Sequence, residues 1–575
     1  MSTPNIVFKN VSFQYRNQTE PTLKNVNLEI MPGEKVLLTG PSGSGKSTLD
    51  SLLNGVIPAE FPGELHGQVQ INGREITELD ITALSFEVGT VLQDSDAQFV
   101  ALTVAEDVAF ALENDQRPVP ELHERVAQWA EILDLPELLS HKPQELSGGQ
   151  KQRVALAGVL IDNEPILLLD EPLANLDPAA GKASMELLAR LADERGLTVI
   201  VIDHRIEEAL QVAFDRLIIL KDGQIIANDT PAEVLQTDVL LKNGLREPLY
   251  VTALKDAGID VAQLSGLDDL PQLELPAQMG QQLATWQASL PQPPVETKPQ
   301  PLLRGEGLNF GYAGQPPLFT NFDFTINAGE MVALVGQNGT GKTTLINLIT
   351  GFLTPRSGSL TLGSQPLEQL SVKERAERIG YVLQDPNQML SQTMVFAEVA
   401  LGLKLRHVPA DEQQTRVAKI LKVTGLYPYR NWPLSALSFG QKKRVTIAAV
   451  LVLEPEILIL DEPTAGQDLA HYAQMMDFLA DLNRDLGVTV VMVTHDMNLM
   501  LSYADRALVL DQGRFLAQAP PAEVLTDQAV IKQAHLSHLS LQTLAQKAGI
   551  ADAISFAEKF TAYERSKQHA YQVEN

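Results

Sequence analysis

Two stretches decide the fold: "GPSGSGKST", from Gly40 to Thr48, and "GQNGTGKTT", from Gly336 to Thr344. Each follows an apolar run, "KVLLT" and "MVALV". Both match G-x-x-x-x-G-K-[ST], in which glycines let successive backbone N–H groups line one concavity that holds phosphate oxygens. The helix expected after each loop adds its partial positive end. A flexible glycine turn before an ordinary helix is the plainer reading of one such loop. Two in register, each between a strand and a helix, favour the phosphate site.

The loops belong to an internal repeat. Gln93 and Gln384, Ser147 and Ser438, Asp170 and Asp461, and His204 and His495 all stand 291 residues apart. Lys46 and Lys342 stand 296 apart, because "GVIPAEFPGELHG" (55–67) faces the shorter "GFLTPRSG" (351–358). The first copy thus carries a five-residue loop insertion there. Between the copies runs the proline-rich "PQPPVETKPQP" (291–301), whose composition favours an extended spacer. The boundaries read from this are a first domain at 1–261, a Pro/Gln-rich linker at 262–302, a second domain at 303–555 and a tail at 556–575.

Within each copy, short apolar runs alternate with amphipathic stretches. "KVLLTG", "VGTVLQ", "ILLLDE" and "LTVIVID" read as buried parallel strands, and "STLDSLLNG" and "PAAGKASMELLARLADE" as helices. "NIVFKNVSFQY" and "LKNVNLEI" read as antiparallel strands. The expected class is α/β: a parallel core sheet with an antiparallel β edge and a helical subdomain, built twice.

A phosphate cradle needs a metal anchor and a group that activates water. "ILLLDEP" (166–172) and "ILILDEP" (457–463) offer both at the carboxyl end of a buried strand, where open α/β sheets bind ligands. Asp170 and Asp461 are candidates to hold Mg²⁺, directly or through water, with Ser47 and Thr343. Glu171 and Glu462 are candidates to orient and polarise the attacking water. Lys46 and Lys342 would bridge the β- and γ-phosphates.

"LSGGQKQRV" (146–154) and "LSFGQKKRV" (437–445) resemble the signature of ATP-binding-cassette (ABC) ATPases, and the motif order matches that family in both copies. The resemblance covers nearly the whole chain outside the linker and tail. It implies two P-loop NTPase domains, each binding ATP with Mg²⁺. The ATP-binding residues it implies are Gly40, Pro41, Ser42, Gly43, Ser44, Gly45, Lys46, Ser47 and Thr48 in the first loop. In the second they are Gly336, Gln337, Asn338, Gly339, Thr340, Gly341, Lys342, Thr343 and Thr344. It adds the signature residues Ser147, Gly148, Gly149 and Gln150, and Ser438, Phe439, Gly440 and Gln441. In the family these meet the γ-phosphate held by the opposite cassette, which explains why one chain carries two loops. Gln93 and Gln384 resemble the glutamine near the metal and attacking water, His204 and His495 the switch histidine. Asp177 and Asp468 match the loop that follows the strand carboxylates. Tyr15 and Tyr312 resemble the aromatic that stacks on adenine, though edge packing is an alternative for both.

The copies differ at the signature, where Phe439 stands against Gly148, and after the strand carboxylates, where "AGQD" stands against "ANLD". Both retain Lys, Asp, Glu, Gln and His, so hydrolysis is expected at both, with unequal kinetics. The segments after Gln93 and Gln384, the "REPLYVTALKDAGID" stretch (246–260) and the "FPGELHG" insertion resemble the tandem ATPases of energy-coupling-factor (ECF) importers. That likeness implies two integral membrane partners, a transmembrane coupling protein and a substrate-binding protein. It also implies a peripheral place on the cytoplasmic face of the cell membrane, and a vitamin, a thiamine precursor or a metal ion as cargo. "TVAEDVAFAL" reads either as part of a docking groove or as a core-facing helix.

Bulk composition narrows the partners. Net charge is −28 over 575 residues, which disfavours binding to nucleic acid through its phosphate backbone. That and a linker poor in charge weigh against a ribosome-associated tandem ABC protein. A sugar-importer ATPase is the nearer alternative, but one cassette in that group is usually degraded at catalytic positions. The chain has no cysteine, which excludes thiolate metal sites and a thiol nucleophile. No apolar run reaches the ~18–20 residues that span a bilayer.

Overall fold

The computed structural model describes residues 3–93, 95–174, 176–291, 300–464 and 469–574. The chain divides into two units. One is Met1–Ala284 with Asp468–Ala470 and Lys547–Gly549; the other is Thr285–Gln467 with His471–Gln546 and Ile550–Asn575.

In the first unit a six-stranded sheet runs in the order Gln224–Asp229, Arg216–Lys221, Lys35–Thr39, Thr198–Ile202, Ile166–Asp170, Val88–Val91. All neighbours are parallel except the outermost pair, Gln224–Asp229 on Arg216–Lys221. The apolar runs of the central strands are buried on both faces, as parallel strands with helical crossovers require. A four-stranded antiparallel sheet, Leu23–Ile30, Ile6–Tyr15, Gly63–Ile71, Arg74–Glu75, shares a core with one face of it through Phe8, Phe13, Leu38 and Leu49. Val104–Asn114, Val119–Ile132 and Gly148–Leu160 form the helical part. Val104–Asn114 begins in a capping box made by Thr103 and Glu106, and it buries Val104, Val108 and Leu112 while Phe110 stays exposed.

The second unit repeats this plan. Its six-stranded sheet runs Ile379–Val382, Ile457–Asp461, Thr489–Val493, Met331–Val335, Arg506–Asp511, Arg514–Ala519. Its antiparallel sheet is Phe319–Asn327, Pro301–Phe310, Ser357–Leu362, Gln365–Pro366. The helical part is Val395–Leu405, Ala410–Val423 and Phe439–Leu451.

The segment read as linker, 262–302, carries a helix at Ala277–Ser289, and the first strand of the second unit already begins at Pro301. Residues 292–299 of that segment lie outside the described residues. Residues 556–574 of the segment read as a tail lie in the helix Ala553–Glu574, where Phe556 and Phe560 are buried. No helix among the described residues is long and apolar enough to cross a membrane.

Candidate functional site

The strand order brings the sequence motifs together. Four neighbouring parallel strands end, in spatial order, at the Gly40 loop, at Asp203–His204, at Asp170–Glu171 and at Gln93. In the second unit the corresponding ends are the Gly336 loop, Thr494–His495, Asp461–Glu462 and Gln384.

The loop geometry requires glycine at two points in each copy. A Cβ on Gly40 would lie 2.1 Å from the Leu220 carbonyl oxygen, and one on Gly336 2.1 Å from that of Leu510. Gly45 and Gly341 cap the following helices at φ 105° and 107°, a left-handed backbone that side chains rarely adopt. The helices Lys46–Leu53 and Lys342–Thr350 therefore start with their amides at the loop. Lys46 Nζ donates to the carbonyls of Gly40 (2.8 Å) and Pro41 (3.0 Å). Lys342 does the same to Gly336 (2.7 Å) and Gln337 (2.8 Å). Ser42, Gly43, Ser47, Asn338, Gly339 and Thr343 are exposed, whereas Ser44, Thr48, Thr340 and Thr344 are buried.

Around the strand carboxylates the first copy forms a tight cluster. Gln93 Nε2 donates to Glu171, and His204 Nε2 lies 3.2 Å from Glu171 Oε1. In the second copy His495 Nε2 lies 3.8 Å from Glu462 Oε1, and Thr494 Oγ1 donates to Glu462 Oε2 at 3.4 Å. Both glutamates have positive φ, 46° at Glu171 and 42° at Glu462. A non-glycine residue there is strained unless its surroundings fix it. Here the main-chain N–H of each is bonded to the adjacent strand, to Ile202 (2.8 Å) and Val493 (3.0 Å).

Burial raises the pKa of Asp170 to about 6, and Glu171 adds to the shift. Asp50, one turn into the loop helix, is pushed up to about 7 by burial and then by Asp170. Asp203 is raised to about 6, again first by burial. It accepts from the N–H groups of Arg205 (2.8 Å) and Leu173 (3.4 Å). In the second copy burial raises Asp461, while a hydrogen bond from Tyr381 (3.1 Å) opposes the rise.

Other expected residues have different surroundings. Ser147 and Ser438 are helix N-caps, each exchanging two bonds with Gln150 and Gln441 in a capping box. Gly148 and Gly149, and Phe439 and Gly440, form the first turns of those helices, with Phe439 exposed. Asp177 caps Pro178–Arg195 by accepting from Ala180 N–H at 2.9 Å. Asp468 lies outside the described residues. Tyr15 and Tyr312 bond through their hydroxyls to Thr48 and Thr344, each at 3.0 Å, which ties the aromatic to the end of the loop.

Asp50, Asp203, Tyr381 and Lys443 stand beside the expected residues at these strand ends. The repeat carried a signal for each, since the other copy places Ile346, Thr494, Thr90 and Gln152 at the matching positions.

A family model described as ABC transporter matches residues 23–174 and 319–465. A second, described as ATP-binding cassette cobalt transporter, matches residues 237–310. An ABC transporter ATP-binding protein of Lactiplantibacillus plantarum is 57% identical over 565 residues, covering 98% of this chain and 100% of that protein. A counterpart in Enterococcus faecalis is 53% identical over 566 residues, covering 98% of this chain and 99% of that one. A solved structure of cbiO1 from Clostridium perfringens, part of the ABC transporter complex cbiONQ, is 37% identical over 40% of this chain and 94% of that chain, with a TM-score of 0.38.

Proposed function

The chain belongs to the ABC transporter ATP-binding proteins, and from this premise we propose that it drives an ECF-type importer of a vitamin, a vitamin precursor such as a thiamine precursor, or a metal ion. The family binds and hydrolyses ATP and works with membrane subunits. The match of 237–310 to a cobalt-transporter description supports the importer reading and, within it, a small cargo. Exposed apolar side chains beside the Gln93 loop, Leu92, Val100, Leu102 and Phe110, support a protein partner at that face. The partners proposed are the coupling and substrate-binding membrane proteins of such an importer.

The observation that carries the proposed chemistry is the convergence of Gln93 and His204 on Glu171, at strand ends that adjoin the phosphate loop. Loop amides and Lys46 grip the β- and γ-phosphates. Glu171 accepts a hydrogen bond from the attacking water and draws its proton away as the oxygen bonds to the γ-phosphorus, while the bond from that phosphorus to the β,γ-bridging oxygen breaks and ADP leaves with the electron pair. Gln93 and His204 hold the carboxylate in place. Ser47, Asp170 and Gln93 offer hard oxygen donors, and the burial that raises Asp170 beside Glu171 leaves a carboxylate whose charge a divalent cation would offset. They fit Mg²⁺, which when bound neutralises phosphate charge. In the second copy Thr343, Asp461 and Gln384 are the corresponding metal donors and Glu462 the corresponding base, with Thr494 and His495 standing against its carboxylate. Ser147 and Ser438 are assigned to the γ-phosphate.

Affinity purification of the full chain from detergent-solubilised membranes tests the transport reading. Integral membrane proteins are expected to co-purify, and their absence would end it. Salt-sensitive RNA or ribosomes in their place would point to the other class of tandem ABC protein.

A further inference from the structure

The helix after the signature turn carries Gln152 in the first copy and Lys443 in the second. Lys443 is only 1% exposed. Its ammonium group donates to the carbonyls of Gln384 (2.7 Å), Leu383 (2.8 Å) and Asp461 (3.4 Å). An ammonium has three N–H donors and no acceptor, so these three oxygens use all of them. Bonds from a charged donor are stronger than neutral ones, and a buried ammonium without them would be costly. Burial lowers its pKa to about 8, against the opposing pull of Asp461, Glu462 and Asp385.

Gln152 does something else: its Nε2 donates to the Pro172 carbonyl at 3.0 Å, beyond Glu171. The first copy ties its Gln93 loop to the signature helix from outside, through Lys151 and Asp96 at 2.6 Å, with the Asp96 side chain 59% exposed. At the matching place the second copy has Lys442 on the neutral Asn387 at 3.2 Å.

We infer that Lys443 is a positioning residue of the second site, fixing the loop that carries Gln384 to the end of the Ile457–Asp461 strand and to the Phe439–Leu451 helix. Gln384 then keeps its place relative to Asp461 and Glu462 through the nucleotide cycle. Among the described residues the first site has no buried ammonium in this place; its loop is joined to the signature helix by the Lys151–Asp96 ion pair, which solvent and salt weaken, while Gln98 ties the loop only to its own strand, at Leu92 N–H and the Thr90 carbonyl. The inference rests on the roles proposed above for Gln384, Asp461 and Glu462.

The test introduces Lys443→Gln into the full chain in two backgrounds. Glu171→Gln leaves hydrolysis to the second site, and Glu462→Gln leaves it to the first. In the Glu171→Gln background kcat should fall at least tenfold while KM for MgATP stays within twofold. In the Glu462→Gln background turnover should change by less than twofold. Equal losses in both, or none in the first, would overturn the inference. Failure of the glutamate variants themselves to lower turnover would instead overturn the site assignment beneath it. Hydrogen exchange on the unaltered, nucleotide-free protein decides the matter even where a variant is silent or unfolded. Amides of 385–391 should exchange at least fivefold more slowly than those of 95–101, and only the latter should quicken between 0.05 and 0.5 M NaCl. Equal protection would also overturn it.

Discussion

In the first copy Asp170 sits among other carboxylates; in the second Asp461 sits among donors. Asp170 has Asp50 and Asp203 as buried neighbours, raised to about 7 and about 6. At those positions the second copy has Ile346 and Thr494, and it adds the Tyr381 hydroxyl on the Asp461 carboxylate and the Lys443 ammonium on the main-chain carbonyl of Asp461. Glu171 accepts from Gln93 and meets His204 at 3.2 Å, whereas Glu462 meets His495 at 3.8 Å and accepts from Thr494. The same four strand ends thus support two electrostatic environments. Conserving the motif residues leaves room for their supports to diverge, and the supports set how firmly each reactive side chain is held.

The strongest way to break the comparison is to remove one water-activating carboxylate at a time. Glu171→Gln and Glu462→Gln keep shape and hydrogen bonding but lose basicity, and general-base catalysis is worth about 10²–10⁴-fold. The double variant should lose at least 100-fold in steady-state ATPase turnover, with ATP affinity retained. If the two environments matter, the single variants leave unequal residual rates. Equal residual rates would mean that the differing supports have no kinetic consequence.

Next in size are substitutions that should strike both copies alike. Gly40→Ala and Gly336→Ala drive a methyl group into the Leu220 and Leu510 carbonyls, both at 2.1 Å, so the loop must shift. Each should weaken MgATP binding at its own site by roughly thirtyfold or more, about 2 kcal/mol by the usual conversion. Nucleotide titration of each variant in its Glu→Gln background measures this. A large difference between the two would show that the loops, too, have diverged.

A third difference concerns stability. Glu164, 7% exposed, is pushed up to about 8, by burial first and then by Asp162 and Asp115; Pro455 holds its place in the second copy. The unfolded chain releases this proton near the ordinary carboxylate value of 4.5, while the folded chain keeps it until about 8. Between those values the folded state binds more protons, so stability falls as pH rises through the window. Glu164→Gln removes that loss. Above pH 8 the variant should be more stable by up to roughly 5 kcal/mol, and the gap should close below about pH 4.5. Urea unfolding of the first unit's transition across pH reads it.

Much of this was legible in the residues. Buried parallel strands announced themselves as near-continuous apolar runs, and the loops by their glycines, because both patterns follow from local geometry. The strand that bears Asp170 was readable, as was its carboxyl-end position. The positive φ of Glu171 and Glu462 was not, because Glu is an ordinary residue whose strain comes from the neighbouring strand's carbonyl. Lys443 was hidden for a related reason. It reads as one more basic residue in "GQKKRV", and only folding turns it inward onto Leu383 and Gln384. The capping roles of Ser147 and Ser438 are legible in the Ser-x-x-Gln spacing, which is that of a capping box.

The smallest expected effect lies at the nucleotide base. The first copy's insertion places Phe61, 51% exposed, edge-on to Tyr15 with ring centroids 6.3 Å apart. Tyr312 has Phe310 behind it at 5.2 Å, as Tyr15 has Phe13 at 4.9 Å, but Phe352, the exposed aromatic of the second copy's shorter loop, makes no ring contact with Tyr312. If Tyr15 stacks on adenine, Phe61 steadies the ring by an edge contact worth roughly 0.5–1.5 kcal/mol. Half of that range or less should reach the ligand, because Thr48 already holds the Tyr15 hydroxyl at 3.0 Å. Phe61→Ala should then weaken ATP binding two- to threefold at the first site and leave the second unchanged. Tyr15→Ala, which removes the stacking face itself, should cost the first site more. A Phe61→Ala effect as large as that of Tyr15→Ala would mean that Phe61, not Tyr15, is the ring against the base.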